Sequence, residues 1–161
     1  MHMKRILIAL DTDVSAQTIA LTGYHLAKSM GAETVLLHII SGSAYYSSLK
    51  YSPILGFEVL SAMDVVETDN DQEIEAGAES FLKDIKEHIG DNSIETLVGK
   101  GDIEKSILQI IADKKCDLVV MGSHYSNGID KFFFGSVAEK VLHHCSVPLL
   151  IIPVKKGVEL E

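Results

Sequence analysis

Tryptophan is absent, cysteine occurs only twice and proline three times, and basic residues are too few to balance the acidic ones. No stretch approaches the run of about 18 apolar residues that a spanning helix needs, so the sequence offers no membrane segment. Cys116 and Cys145 have neither Cys-x-x-Cys spacing nor the cysteine-dense context of a small secreted scaffold, and they are expected to be reduced thiols. The shortage of positive charge is equally informative. With 14 Lys and Arg against 23 Asp and Glu the formal charge is −9, whereas nucleic acid or an anionic lipid surface demands a basic face; neither is expected as a partner. Met1-His2-Met3-Lys4-Arg5 leads into a strand-like run instead of the apolar core of a signal peptide, and a cytoplasmic protein is expected.

What is present is the composition of one folded domain. Hydrophobic residues make up 47% and charged residues 23% of 161, enough to close a single core. The expected domain spans residues 1–157, with 158–161 as a tail outside it. Short apolar runs at 5–10, 34–40, 95–99, 118–122 and 148–152 alternate with helix-period segments, the pattern of a parallel sheet covered on both faces. Ile74, Ala78, Phe81, Leu82, Ile85 and Ile89 form one helical stripe. A second runs through Ile19, Gly23, Leu26, Ala27 and Met30 and stops at Gly31, and a third through Ile103, Ile107, Ile110 and Ile111 after the N-cap residue Asp102. The last helix is expected from Gly135 to about Cys145, because Pro148 cannot continue it. Residues 41–72 break the rhythm as a long insert, too apolar between Ile54 and Val66 to stay solvated and expected to fold into a short helix or lid.

Ligands of open parallel sheets bind outside the carboxyl ends of the strands, where helix N-termini point into a crevice. Three segments should converge there: Leu10-Asp11-Thr12-Asp13, Ile39-Ile40 and Met121-Gly122-Ser123-His124. The last is expected to open a glycine-bounded loop from Gly122 to the start of the final helix at Gly135-Ser136-Val137. The amides there can receive an anion, phosphate above all, although Gly135-Ser136 is open to the plainer reading of a helix start alone.

These residues are similar to the universal stress protein family. Its nucleotide-binding members carry a glycine, two residues, a second glycine, nine residues and then Gly-Ser or Gly-Thr; here the corresponding positions are Gly122, Tyr125, Gly135 and Ser136. Ile6-Leu7-Ile8-Ala9-Leu10-Asp11, Leu36-Leu37-His38, Gly101-Asp102 and Val147-Pro148-Leu149-Leu150-Ile151-Ile152 extend the likeness over nearly the whole chain. The resemblance implies an α/β fold of Rossmann-like, adenine nucleotide alpha hydrolase-like type, its five-stranded parallel sheet ordered 3-2-1-4-5 with helices on both faces. It also implies a homodimer formed through the C-terminal edge strand and a site for ATP or AMP. In that site Asp11 and the backbone at Ile40 would hold adenosine, Gly122, flanked by Met121 and His124, would admit ribose and phosphates, and Gly135, Ser136 and Val137 would bind phosphate oxygens.

Two positions depart from the family pattern. Tyr125 stands where the second motif glycine belongs, and Ser126 follows where the family commonly has a basic residue. A left-handed backbone at position 125 would cost a non-glycine residue roughly 1–2 kcal/mol, and a triphosphate would then lean on helix amides, Lys131 or Mg²⁺. A second function follows from the same residue: a dimeric interaction module that binds no nucleotide because Tyr125 closes the site. Slow ATP hydrolysis is the weakest of the functions, since no nucleophile, base and orienting group can be assembled.

Other features have plainer readings. Adjacent residues His143-His144-Cys145 diverge around a helix and cannot share one metal ion. His38 is read as a hydrogen-bonded core histidine, His124 as a loop residue or a phosphate contact, and Asp13 as the N-cap of the first helix in preference to a Mg²⁺-binding pair with Asp11. Tyr45, Tyr46 and Tyr51 stack on a base or pack a lid. Gly99-Lys100-Gly101 lacks the third glycine of a dinucleotide fingerprint, and no Walker-type loop is present.

Overall fold

The computed structural model describes residues 3–41, 71–125 and 135–155, without the side chains of Asp71, His124, Tyr125 and Lys155. The elements run β1 (Arg5–Leu10), α1 (Ala16–Ser29), β2 (Glu33–Ile40), α2 (Asp71–Ile89), β3 (Glu95–Lys100), α3 (Ile103–Lys114), β4 (Leu118–Tyr125), α4 (Ser136–His144) and β5 (Leu149–Lys155). All strand pairs are parallel and the order is β3-β2-β1-β4-β5, as the family resemblance implies.

Parity along the strands sorts the core. Even positions Ile6, Ile8, Leu10, Leu36 and Val120 face α1 and α2, where they meet Ile19, Ala20, Phe81, Leu82 and Ile85. Odd positions Leu7, Val35, Leu37, Ile39, Val119 and Met121 face α3 and α4 and meet Ile107, Ile111 and Val141. A period of two with both faces apolar is what near-continuous hydrophobic runs require once helices cover both sides. The helical stripes read from sequence face the core, with Ile19, Ala27, Ala78, Phe81, Leu82, Ile85, Ile107 and Ile111 buried and Leu26, Met30, Ile74, Ile89, Ile103 and Ile110 half-buried.

Helix ends follow local chemistry. Gly31, at φ 64°, closes α1: its N–H donates to the Lys28 carbonyl and that of Ala32 to Ala27, a Schellman arrangement. Asp102 caps α3 by accepting the Lys105 N–H at 2.9 Å. Asp13 does not cap α1. The N-cap position is Ser15, and Asp13 sits two residues earlier, where its Oδ1 accepts the N–H of Ser15 at 3.1 Å while its carbonyl accepts that of Ala16. An extra turn between strand and helix, itself held by Asp11 Oδ1 on the Asp13 N–H, moves the helix start beyond the carboxylate expected to cap it.

Three strands outrun their expected ends, β3 by one residue to Lys100 and β4 and β5 by three each. β4 continues through Gly122, Ser123 and His124 to Tyr125, so Gly122 lies inside the strand and does not open a loop. The glycine answers a packing demand: a Cβ there would overlap Ile19 Cδ1 on α1. β5 runs past Ile152 to Lys155 with Pro153 inside it, because an edge strand need not donate on its open side. Of the expected insert, Asp71 and Gln72 belong to α2, and the expected lid and its Tyr45, Tyr46 and Tyr51 lie outside the described residues.

His38 is a core histidine, 2% exposed, with Nδ1 2.9 Å from the Leu10 carbonyl and its ring edge-on to Phe81. A carbonyl only accepts, so Nδ1 carries the proton. Burial lowers the His38 pKa below its ordinary 6.5, against the opposing pull of the Leu10 hydrogen bond and the Asp11 charge. The unfolded chain therefore binds more protons below 6.5, and the stability this residue contributes is complete above that value and lost as pH falls through it. Urea midpoints should drop between roughly pH 7 and roughly pH 5, and His38→Asn should flatten that slope.

Both cysteines are free. Burial pushes the Cys116 thiol up to about 11, whereas Cys145 is only half-buried and donates to the Val147 carbonyl. A thiol reagent at neutral pH should label Cys145 in the native protein and reach Cys116 only on unfolding, as read by mass spectrometry of digested protein.

Candidate functional site

Where β1 and β4 end, the crossovers leave on opposite faces of the sheet, and a cavity of about 350 Å³ opens between the strand ends and the first turn of α4. Its floor is Ala9, Leu37, Ile39 and Met121, all odd positions on one face of the sheet, and Ile103 and Ile107 of α3 form a wall. Asp11 stands at the end of β1, with Gly122 on β4 and Gly135 to Ala138 across the opening.

The opening of α4 is built for close approach. Gly135 has φ 90° and ψ 144°, a region open essentially to glycine, and among the described residues no side chain caps the helix. The first helical hydrogen bond runs from the Glu139 N–H to the Gly135 carbonyl at 3.0 Å. The amides of Ser136, Val137 and Ala138 therefore precede the ladder and carry the positive end of the helix dipole to the rim of the cavity. An apolar slot of this size, a carboxylate at one rim and a helix N-terminus at the other suit a ligand with a flat ring, hydroxyl donors and an anionic group.

Of the residues singled out in the sequence, the cavity brings together Asp11, Met121, Gly122, Gly135, Ser136 and Val137. Ile40 is not among its lining. The side chain of Ile39 faces the slot instead, and the Ile40 carbonyl accepts the Gly101 N–H at 2.9 Å, linking β2 to the turn before α3. His124 lies two residues past Gly122 on β4, opposite Val154, and its side chain is outside the described residues, as are Ser126 and Lys131. Tyr125 is extended strand opposite Lys155, and the sole positive-φ non-glycine residue among the described ones is Lys115, so the left-handed strain considered for position 125 does not arise. Sequence reasoning missed Ala9, Leu37, Ile103 and Ile107 as lining residues. Their signal was present as shared strand parity and the α3 stripe, but register was needed to bring them to one place.

The family model described as the universal stress protein family matches residues 2–153. The chain belongs to the universal stress protein family. A universal stress protein of Methanocaldococcus jannaschii is 27% identical over 158 residues, covering 96% of this chain and 97% of the relative. Among solved structures, a universal stress protein in complex with cAMP superposes with a TM-score of 0.60 at 15% identity, covering 94% of this chain and 98% of that one. One from Archaeoglobus fulgidus in complex with dAMP superposes at 0.58 and 17% identity, covering 94% and 99%. At such identities the superpositions establish the shared fold. Family membership also accounts for the strand order.

Among the described residues, no group of three or more His, Cys, Asp or Glu is placed to hold a metal ion. His144 of the expected non-metal triplet pairs with Glu104 at 2.7 Å, joining α4 to α3. No helix among the described residues is long and apolar enough to cross a membrane.

Proposed function

We propose that the cavity binds an adenine nucleotide, ATP or AMP, and that the chain acts as a cytoplasmic homodimeric regulatory domain in stress response. The observation that carries this reading is the glycine-led N-terminus of α4 at Gly135, set across an apolar slot from Asp11. Asp11 would accept from the ribose hydroxyls, the slot over Met121 would take the ring, and Gly122, Gly135, Ser136, Val137 and His124 would surround the phosphates, with Mg²⁺ accompanying a triphosphate. The cAMP and dAMP complexes of family members support the choice of adenine. Catalysis is no part of this reading beyond slow hydrolysis of bound ATP.

The dimer would form along β5, the C-terminal one of the two edge strands. Leu150 on that strand is 36% exposed and Leu142 on α4 53%, apolar surface that a partner edge would cover. The same edge supports the second reading, an interaction module closed to nucleotide by Tyr125, with an unidentified protein partner. Calorimetry of nucleotide-stripped protein with ATP, ADP and AMP decides between them: heat of binding is expected, and none at about millimolar ligand ends the nucleotide reading. Binding that appears only in Tyr125→Gly would establish the interaction module instead.

A further inference from the structure

We infer that His38 is a positioning residue for the nucleotide site, its Nδ1–H holding the Leu10 carbonyl and thereby the direction in which Asp11 leaves β1. The inference rests on the proposed nucleotide reading of the cavity. It starts from register. β1 pairs with β4 only as far as Ala9 opposite Met121, and with β2 as far as Leu10 opposite His38. The Leu10–Asp11 peptide is the point at which the strand gives way to the turn carrying the carboxylate, and there an imidazole N–H grips the backbone at 2.9 Å.

The surroundings make that grip rigid. Leu10 is 5% exposed and His38 2%, and the ring is wedged by Phe81 with centroids 5.4 Å apart and planes at 68°. His38 cannot swing away without disturbing the α1–α2 face of the core. On the far side of the peptide, Asp11 Oδ1 accepts the Asp13 N–H at 3.2 Å, so the carboxylate is oriented by its own turn as well as by the strand beneath it. A peptide plane held from the core fixes where the Asp11 carboxylate stands at the rim of the cavity, although His38 itself is not part of the lining. Losing the donor deprives a buried carbonyl of this partner and lets the Leu10–Asp11 peptide tilt.

The test separates shape from hydrogen bonding. His38→Asn keeps an N–H near the Nδ1 position but shortens the side chain, and His38→Leu keeps apolar volume but has no donor. In calorimetry with AMP, His38→Leu should bind about tenfold more weakly than the native chain and His38→Asn within about threefold. Urea midpoints should rank the other way, with His38→Leu the more stable; a purely structural histidine would have affinity follow stability. In the ligand-free protein, the Asp11 amide resonance should move in His38→Leu and stay near its native position in His38→Asn, a readout that holds even if AMP does not bind. Failure of the native chain to bind AMP would sink the nucleotide reading. An unmoved Asp11 resonance in His38→Leu, or affinities that track stability, would overturn the positioning role.

Discussion

Ser136→Pro is expected to weaken nucleotide binding by roughly one to two orders of magnitude while leaving the fold intact. Ser136 is the first residue of α4, where proline is well tolerated because the amide it removes has no intrahelical acceptor. Its neighbour Gly135 already has ψ 144°, within the range that a residue before proline prefers. The substitution therefore subtracts one N–H from the rim of the cavity with little other change to the backbone. A hydrogen bond to a charged group contributes about 1.5–3 kcal/mol, which sets the expected loss. Ser136→Ala removes the hydroxyl alone, and calorimetry of the two variants side by side assigns the effect to hydroxyl or amide. Equal affinities in Ser136→Pro and the native chain would show that the phosphates lie elsewhere.

Phe81→Ala should be the most damaging single change to stability among the core residues of α2. Phe81 is 1% exposed and the largest fully buried side chain among the described residues, set among β1, β2 and α1 and against the edge of His38. Truncating a buried phenylalanine typically costs about 3–5 kcal/mol from lost transfer energy and the cavity left behind. The aromatic contact with His38 adds to that loss. A domain of this size is stable by only about 5–15 kcal/mol, so the variant should unfold at far lower urea with an unchanged m-value. A loss under about 1.5 kcal/mol would mean that α2 collapses into the gap.

How much of the fold was legible follows from which signals are local. The stripes of α1, α2 and α3, the Asp102 cap and the Gly31 terminus are written within a few residues of where they act, and each stands where the sequence placed it. The expected strands ended at Gly122 and at Ile152, just before Pro153, whereas whether a glycine or a proline ends a strand or stays inside it is decided by neighbours. For Gly122 the neighbour is Ile19 on α1; for Pro153 it is the absence of a sixth strand beyond β5 among the described residues.

The candidate site divides in the same way. Asp11, Gly122 and Gly135-Ser136 were visible as residue types at telling spacings, and likeness to the family tied them to one ligand. Ala9, Leu37, Ile103 and Ile107 were visible only as core, because nothing in a period of two or of 3.6 residues says which apolar position lies under an opening.

The sequence by itself determined the element types, the α/β class and the family, since each depends on composition, local periodicity or a pattern along the chain. Only the tertiary structure decided that Ile39 and not Ile40 faces the cavity, that Gly122 serves helix packing within a strand, and that His38 holds the peptide before Asp11. Those facts depend on register and on which face of the sheet a residue occupies. A shift of one residue exchanges the two faces, and the choice between them is made by contacts between elements far apart in the chain.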